Sequence, residues 1–178
     1  MKATHEPQEP RGLVRHYLGD LIYGANDGII TTFAIVTGVT GAALQPRIVL
    51  ILGMANLLAD GFSMGASNFL SIRSDEAARR ADGRDSIEPF PARHGLVTFT
   101  AFVVAGAIPL LSYMTDLGDA AFAVAAMLTV LALFVVGASR AAVTDGTWWR
   151  SGLEMTTVGV AAAAVAYVVG AAVAPLTT

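Results

Sequence analysis

The chain contains no cysteine among its 178 residues. Disulfide bridges, zinc sites built on thiolates and thiol nucleophiles are therefore excluded. Charge is also scarce, since Asp, Glu, Lys and Arg make up only 14% of the residues, against about 25% in a soluble domain. The net charge is −3 and no basic face stands out, so we expect no nucleic-acid partner.

Apolar residues dominate what remains. They form 54% of the chain, and the mean hydropathy is +0.61. Between charged clusters run long apolar stretches, and a helix of about 20 residues crosses a hydrocarbon core of about 30 Å. We predict an all-α membrane protein with five transmembrane helices embedded in the lipid bilayer. The predicted spans are 21–44, 48–72, 95–114, 119–139 and 153–174.

The spans define the remaining segments. Residues 1–20 form a polar N-terminal segment that lacks the apolar core of a signal peptide, so we expect no cleavage. Residues 21–174 form the transmembrane domain, with a short loop at 73–94, and residues 175–178 are a tail. Pro46 follows the first span closely and suits the first turn of a helix, which predicts an antiparallel hairpin of the first two helices.

The distribution of basic residues predicts the orientation. Ten of the 11 Lys and Arg residues lie in segments that five spans would place on one side of the membrane. They are Lys2, Arg11, Arg15, Arg73, Arg79, Arg80, Arg84, Arg93, Arg140 and Arg150, and only Arg47 is opposite. The positive-inside rule makes that side the cytoplasm, so the N-terminus is cytoplasmic and the C-terminus lies on the far side.

Two carboxylates interrupt the first two spans. Asp27 lies in the first and Asp60 near the middle of the second. An Asp at a helix centre costs about 2.5–3.5 kcal/mol on insertion scales, so it normally faces a polar interior and serves a function. Small polar residues accompany both at helical spacing, and they serve equally well as hydrogen-bonding contacts between helices.

Depth counted from the span ends predicts a ladder of ligands. Counted from the cytoplasmic ends of the first two spans, Asp27 and Met64 lie at similar depth and Asp60 lies deeper. Asp20 and Asn68 lie nearer the cytoplasmic surface. Oxygen ligands suit divalent cations, and a Met sulfur shifts the preference toward a transition metal. Since there is no Cys and all three histidines (His5, His16 and His94) lie outside the spans, zinc and copper are less favoured than Fe²⁺ or Mn²⁺.

Two motifs resemble the vacuolar iron transporter family. The first is Tyr23–Thr32 with its continuation Val36–Gly41, and the second is Asn56–Ser71. A weaker similarity covers Gly159–Gly170. The resemblance implies a homodimer that exports Fe²⁺, and often Mn²⁺, from the cytoplasm in exchange for protons. It also implies a pathway between the protomers, lined mainly by the first helices.

By motif match, the family's first-helix aspartate falls on Asp27 and its Ser-Met pair on Ser63-Met64. Across a two-fold axis, two carboxylates and two sulfurs would then face one ion. Many members carry Gly-Glu-Tyr where this chain has Ser67–Phe69, so Asn68 replaces a carboxylate. Asp60 falls where those members have a small residue.

The loop between the second and third spans is a further departure from the family pattern, because the well-known eukaryotic members of the family insert a Glu-rich helical metal-binding domain there. Only about 22 residues, Arg73–His94, fill this place, and their acidic and basic side chains alternate. We interpret this segment as a solvated, salt-bridged loop. We therefore expect a small bacterial-type member in a prokaryotic plasma membrane.

Other functions remain open from the residues alone. A transporter of another divalent cation and a non-transporting assembly subunit are both compatible with buried carboxylates. An intramembrane aspartyl protease would need a Gly-x-Gly-Asp motif, whereas Asp60 follows Leu-Leu-Ala. We therefore expect a transporter with no enzymatic activity and no cofactor, whose metal ion is its substrate.

Overall fold

The computed structural model describes residues 9–142 and 146–176, and these are helical apart from short turns and one loop. The predicted all-α class is confirmed. The N-terminal residues 1–8 and the tail residues 177–178 lie outside the described part. The helices are α1 (Pro10–Gly41), α2 (Pro46–Ala81), α3 (Pro91–Gly106), α4 (Ala121–Ser139) and α5 (Trp148–Val173). Short 3₁₀ segments cover Ile108–Met114, Gly118–Ala120, Arg140–Ala142 and Ala174–Leu176.

Prolines mark the beginnings of the first three helices. Pro10, Pro46 and Pro91 each occupy the first helical turn, where the missing N–H would have no partner within the helix. Pro109 has the opposite effect. It is the second residue of the 3₁₀ segment Ile108–Met114, which is bent by 41° from α3, since proline disrupts the regular hydrogen-bond ladder.

Three described helical stretches are long and apolar enough to cross a membrane: Pro46–Ala81, Gly118–Ser139 and Trp148–Leu176. The bent pair Pro91–Gly106 and Ile108–Met114 makes a fourth if it forms one span. The chain is thus an integral membrane protein by helix length and composition. α1 has 32 residues but is not among these stretches, because Asn26, Asp27 and several threonines dilute its apolar content. The count of five spans stays a prediction.

The charged segments meet at one end of the bundle. Asn68 and His94 both hydrogen-bond to Asp20, so the second half of α2 and the start of α3 lie beside the first half of α1. Ser139, at the end of α4, lines the same groove as Val14 of α1. We call this the basic end of the bundle. The arginines at this end whose side chains the structure describes are Arg15, Arg73, Arg79, Arg80, Arg84, Arg93, Arg140 and Arg150.

Helix α1 packs against all four other helices, most extensively against α3 and α5. Close approach depends on glycine. A Cβ at Gly28 would collide with the backbone of Phe102 in α3, and one at Gly24 would come within 2.5 Å of the Thr98 carbonyl oxygen. Gly38 similarly faces the backbone of α5. Packing within the chain thus occupies the faces of Gly24 and Gly28, and the homodimer stays a prediction.

Candidate functional site

Asp27 and Asp60, which we call the carboxylate pair, lie on facing helices. The bond between Asp20 and Asn68 fixes how α1 and α2 pair. Because the helices are antiparallel, moving two turns along α1 from Asp20 corresponds to moving two turns back along α2 from Asn68. This places Asp27 opposite the turn that contains Asp60. The two charges are close enough to interact unfavourably, and both side chains are only half-buried.

Few hydrogen bonds satisfy this pair. The Asn56 Nδ2 amide donates to Oδ2 of Asp60 at 3.1 Å. The Thr31 hydroxyl donates to the backbone carbonyl of Asp27, not to its carboxylate. Oδ1 of Asn26, next to Asp27, is buried without a hydrogen bond among the described residues. Two like charges with spare acceptor capacity form a pair of oxygen ligands that a cation would stabilise.

The depth count from the sequence was wrong by about one helical turn. It placed Met64 level with Asp27 and Asp60 deeper, whereas Asp60 is the residue that faces Asp27. Met64 is partly buried and packs against the core cluster that contains Leu57 and Phe102. Within one protomer, the thioether therefore contributes to core packing. Its role as a metal ligand stays a prediction.

A second set of polar side chains lies at the basic end. Asn68 Nδ2 donates to Oδ1 of Asp20 and to the Thr98 hydroxyl oxygen, at 2.7 Å in each case. Nδ1 of His94 lies 2.5 Å from Oδ2 of Asp20, and the Thr98 hydroxyl donates to the His94 carbonyl. This network joins α1, α2 and α3. It brings the predicted ligands Asp20 and Asn68 together, but both Asp20 oxygens already accept hydrogen bonds.

A third group of polar side chains shares His94 with this network. Nε2 of His16 is 3.0 Å from Oε2 of Glu88, and Nε2 of His94 is 3.1 Å from the same oxygen. We call His16, Glu88 and His94 the histidine cluster. The His16 and His94 rings contact each other edge-on, and the Tyr17 ring also packs against His94. From the sequence we disfavoured zinc and copper as the ion because these histidines lie outside the apolar spans.

The loop between α2 and α3 positions Glu88. Glu76, buried near the end of α2, accepts hydrogen bonds from the Ser86 hydroxyl and from the backbone N–H groups of Glu88 and Ile87. These bonds, that from Ser86 foremost, hold the pKa of Glu76 below its ordinary value. Our interpretation of a wholly solvated loop was therefore wrong for Glu76 and Glu88, although the exposed pair Arg84–Asp82 conforms to it.

One sequence signal could have suggested the histidine cluster. His94 follows Pro91 in the first turn of α3, and Glu88 lies three residues before that proline. Both flank a helix start next to the short loop. Their partner His16 is 72 positions earlier than Glu88. Periodicity within single helices carries no information on that distant contact, which depends on how α1 and α3 pack.

Comparison with known proteins identifies the family. The VIT family model matches residues 18–88 and 82–171, which is nearly the whole chain. The chain belongs to the VIT family. The two motifs quoted from α1 and α2 both lie inside the first matched segment.

Several eukaryotic relatives carry the name vacuolar iron transporter. The protein of Toxoplasma gondii is 28% identical over 221 residues, which cover 86% of this chain and 73% of that protein. Vacuolar iron transporter 1 of Eucalyptus grandis is 26% identical over 206 residues, with 83% of each chain covered. The protein of Plasmodium berghei is 46% identical over only 63 residues, which cover 35% of this chain and 23% of that protein. A metal transporter is the function these family members support.

Proposed function

We propose that this VIT family member moves Fe²⁺, Mn²⁺ or both out of the cytoplasm, and that the carboxylate pair binds the ion within the membrane. The supporting observation is the position of Asp60 opposite Asp27 on facing helices, where two like charges repel each other. A divalent cation between the carboxylates would offset their repulsion and their desolvation. The names of the relatives support iron as a substrate.

Helix α1 completes the proposed transmembrane domain as a fifth span. Its polar residues exclude it from the apolar stretches described above, but it packs against the other four helices rather than against lipid alone. Polar residues are tolerated in a span that faces a protein interior. With the basic end in the cytoplasm, the positive-inside rule is satisfied and Arg47 lies opposite. A prokaryotic plasma membrane stays a prediction, and the relatives named above are eukaryotic.

We further propose a homodimer. Ser63 and Ser67 are exposed on α2, on the same side as the half-buried Asp60. A charged group facing hydrocarbon costs about 2.5–3.5 kcal/mol, so this polar stripe needs a cover. In a dimer related by a two-fold axis, the polar stripes of the two protomers would pack against each other. The carboxylate pairs of both protomers would then be enclosed. The proposed pathway then runs between the protomers.

Proton exchange is the proposed coupling. A carboxylate binds a metal ion only when it is deprotonated, so binding the metal releases protons and low pH on the far side favours metal release. The carboxylate pair would therefore carry either protons or one divalent ion. Antiport follows if the pair is accessible from the two sides of the membrane alternately, binding the metal ion on one side and protons on the other.

Proteoliposomes test the proposal directly. Flux of Fe²⁺, Mn²⁺, Zn²⁺ and Ca²⁺ would be measured across a pH gradient together with internal pH. Asp27→Asn and Asp60→Asn should each abolish metal flux and metal-driven proton movement. The matched control Asp75→Asn changes an exposed aspartate of α2 and should behave as the wild type. Wild-type rates and proton coupling in both pair variants would refute the site, and an inert wild type would favour an assembly subunit.

A further inference from the structure

The histidine cluster carries chemistry that the carboxylate pair does not need. Nε2 of His16, Nε2 of His94 and a carboxylate oxygen of Glu88 all lie within 4.8 Å of one another. We propose that these three side chains form a binding site for a divalent transition-metal ion at the basic end of the bundle. The site is separate from the proposed transport site and does not depend on it.

The spacing of each histidine nitrogen from the Glu88 oxygen fits a shared ion. Two ligands of one metal, each bound at about 2.1 Å, lie about 3.0–3.4 Å apart for bond angles between 90° and the tetrahedral value. Both histidine nitrogens fall in this range, at 3.0 and 3.1 Å from Oε2 of Glu88. A plain hydrogen bond would explain such distances equally well if an N–H pointed at the oxygen. However, both Nε2 atoms are buried and neither has a hydrogen-bond partner in the part of the chain that the structure describes.

Asp20 fixes the form of His94 that a metal requires. Its Oδ2 lies 2.5 Å from Nδ1 of His94. A carboxylate oxygen only accepts, so the shared proton belongs on Nδ1 and the Nε2 lone pair faces Glu88. Histidines that bind metals commonly have such a carboxylate behind them, which orients the ring and raises its basicity. Asn68 in turn holds Asp20 through its other oxygen.

Of the remaining two ligands, Glu88 is held in place by the loop and the His16 ring is partly exposed. Glu88 lies in the loop between α2 and α3, and its backbone N–H donates a hydrogen bond to the Glu76 carboxylate. The side chains of His94 and Glu88 are 10% and 12% exposed, whereas that of His16 is 27% exposed. An ion would therefore reach the cluster from solvent on the His16 side. No large movement of the helices is required for binding.

The ligand set indicates the class of ion. Two imidazoles with one carboxylate suit Fe²⁺, Co²⁺ and Zn²⁺, whereas Mg²⁺ and Ca²⁺ prefer oxygen ligands throughout. This reverses the argument from the sequence, in which the position of the histidines outside the spans disfavoured imidazole coordination. An imidazole site next to the Asp20–Asn68 network would hold a transition metal where α1, α2 and α3 meet.

Cobalt absorption tests the site in the purified full-length protein. Co²⁺ would be titrated into the wild type in detergent, with its visible ligand-field bands as the readout. We expect saturable binding that Zn²⁺ displaces and that an excess of Mg²⁺ leaves unchanged. His16→Gln and Glu88→Gln should each lower the affinity at least about tenfold, and Asp20→Asn by about 10–100-fold. His5→Gln, which removes the third histidine of the chain, should bind as the wild type.

The variants separate this inference from the proposed transport site. The double variant Asp27→Asn/Asp60→Asn should keep the cobalt bands, and metal-free melting curves would confirm that each variant is folded. Unchanged cobalt affinity in folded His16→Gln and Glu88→Gln proteins would overturn the inference. Equal losses in His5→Gln and His16→Gln would also overturn it, since they would indicate nonspecific coordination. Bands lost only in the double variant would refute the histidine cluster while supporting the carboxylate pair.

Discussion

Oδ2 of Asp20 lies 2.5 Å from Nδ1 of His94, although the two residues are 74 positions apart in the chain. The other oxygen of the same carboxylate accepts a bond from Asn68. One side chain of α1 thereby connects to α2 and α3 at the basic end. Hydrogen bonds to an ionised group are the stronger ones in proteins, so this carboxylate both orients His94 and ties three helices together.

Asp20→Asn should weaken both effects. The amide keeps the size of the side chain but loses its charge, so the Nδ1–H form of His94 should no longer dominate. We expect stability to fall by about 1–3 kcal/mol, the range for a lost bond to a charged partner. Nitrogen chemical shifts of the His94 ring and thermal unfolding in one detergent would measure the two effects. Asp75→Asn, at an exposed position, is the control; an unchanged ring spectrum in Asp20→Asn would contradict the assignment.

Alanine substitutions at two glycines of α1 should change the stability of the protein in opposite directions. A Cβ at Gly28 would strike the backbone of Phe102, which cannot move without separating α1 from α3. Gly28→Ala should therefore destabilise the protein by about 1–3 kcal/mol. Gly19 has no atom within 4 Å of such a Cβ. There the better helix propensity of alanine should stabilise by up to about 1 kcal/mol. Melting temperatures that shift in the same direction would refute this packing.

The sequence predicted the helices better than the contacts between them. Apolar runs and the proline at position 46 were sufficient for the α1–α2 hairpin, and counting from the span ends placed Asp20 near Asn68. The same count failed for Asp27 and Met64, because the ends of an apolar run are not the ends of the helix and do not fix how two helices align. Helix α1 begins at Pro10 and α2 continues to Ala81, both beyond the apolar runs.

The histidine cluster could not be predicted for a different reason. Its members come from α1, from the loop and from α3, and each looks like an ordinary polar residue at the edge of a span. Only the close glycine-mediated packing of α1 on α3 brings His16 to His94. The spacing of glycines in a sequence does not reveal which neighbour a small-residue face contacts.

The loop between α2 and α3 should loosen at low pH. Since hydrogen bonds lower the pKa of Glu76, the ionised form is favoured by folding. Its contribution is complete above the unfolded pKa of about 4.3 and is lost as the pH falls through the lower folded value. Hydrogen exchange at the Ile87 and Glu88 amides, corrected for the intrinsic pH dependence, should therefore rise below about pH 4.

Glu76→Gln tests the cause of that pH dependence. The amide presents an NH₂ group to donors that need an acceptor, so exchange at Ile87 and Glu88 should be about tenfold faster at neutral pH. The rise on acidification should largely disappear. Asp75→Asn on the same helix should preserve both the slow exchange and its pH dependence. A variant at Glu76 with wild-type protection would show that other contacts hold the loop.

Single-cysteine crosslinking would test the proposed dimer face. The chain has no cysteine of its own, so each introduced thiol is unique. In a two-fold dimer, a residue near the axis lies beside its own copy. Ser63→Cys and Ser67→Cys, on the exposed polar side of α2, should therefore form disulfide-linked dimers in membranes on mild oxidation. Leu131→Cys, on the exposed side of α4 with 58% of its surface accessible, should stay monomeric, because an apolar face can contact lipid without cost. Efficient dimers at Leu131 and none at Ser63 or Ser67 would move the interface to α4. A different protein surface would then have to shield the polar stripe beside Asp60 from lipid.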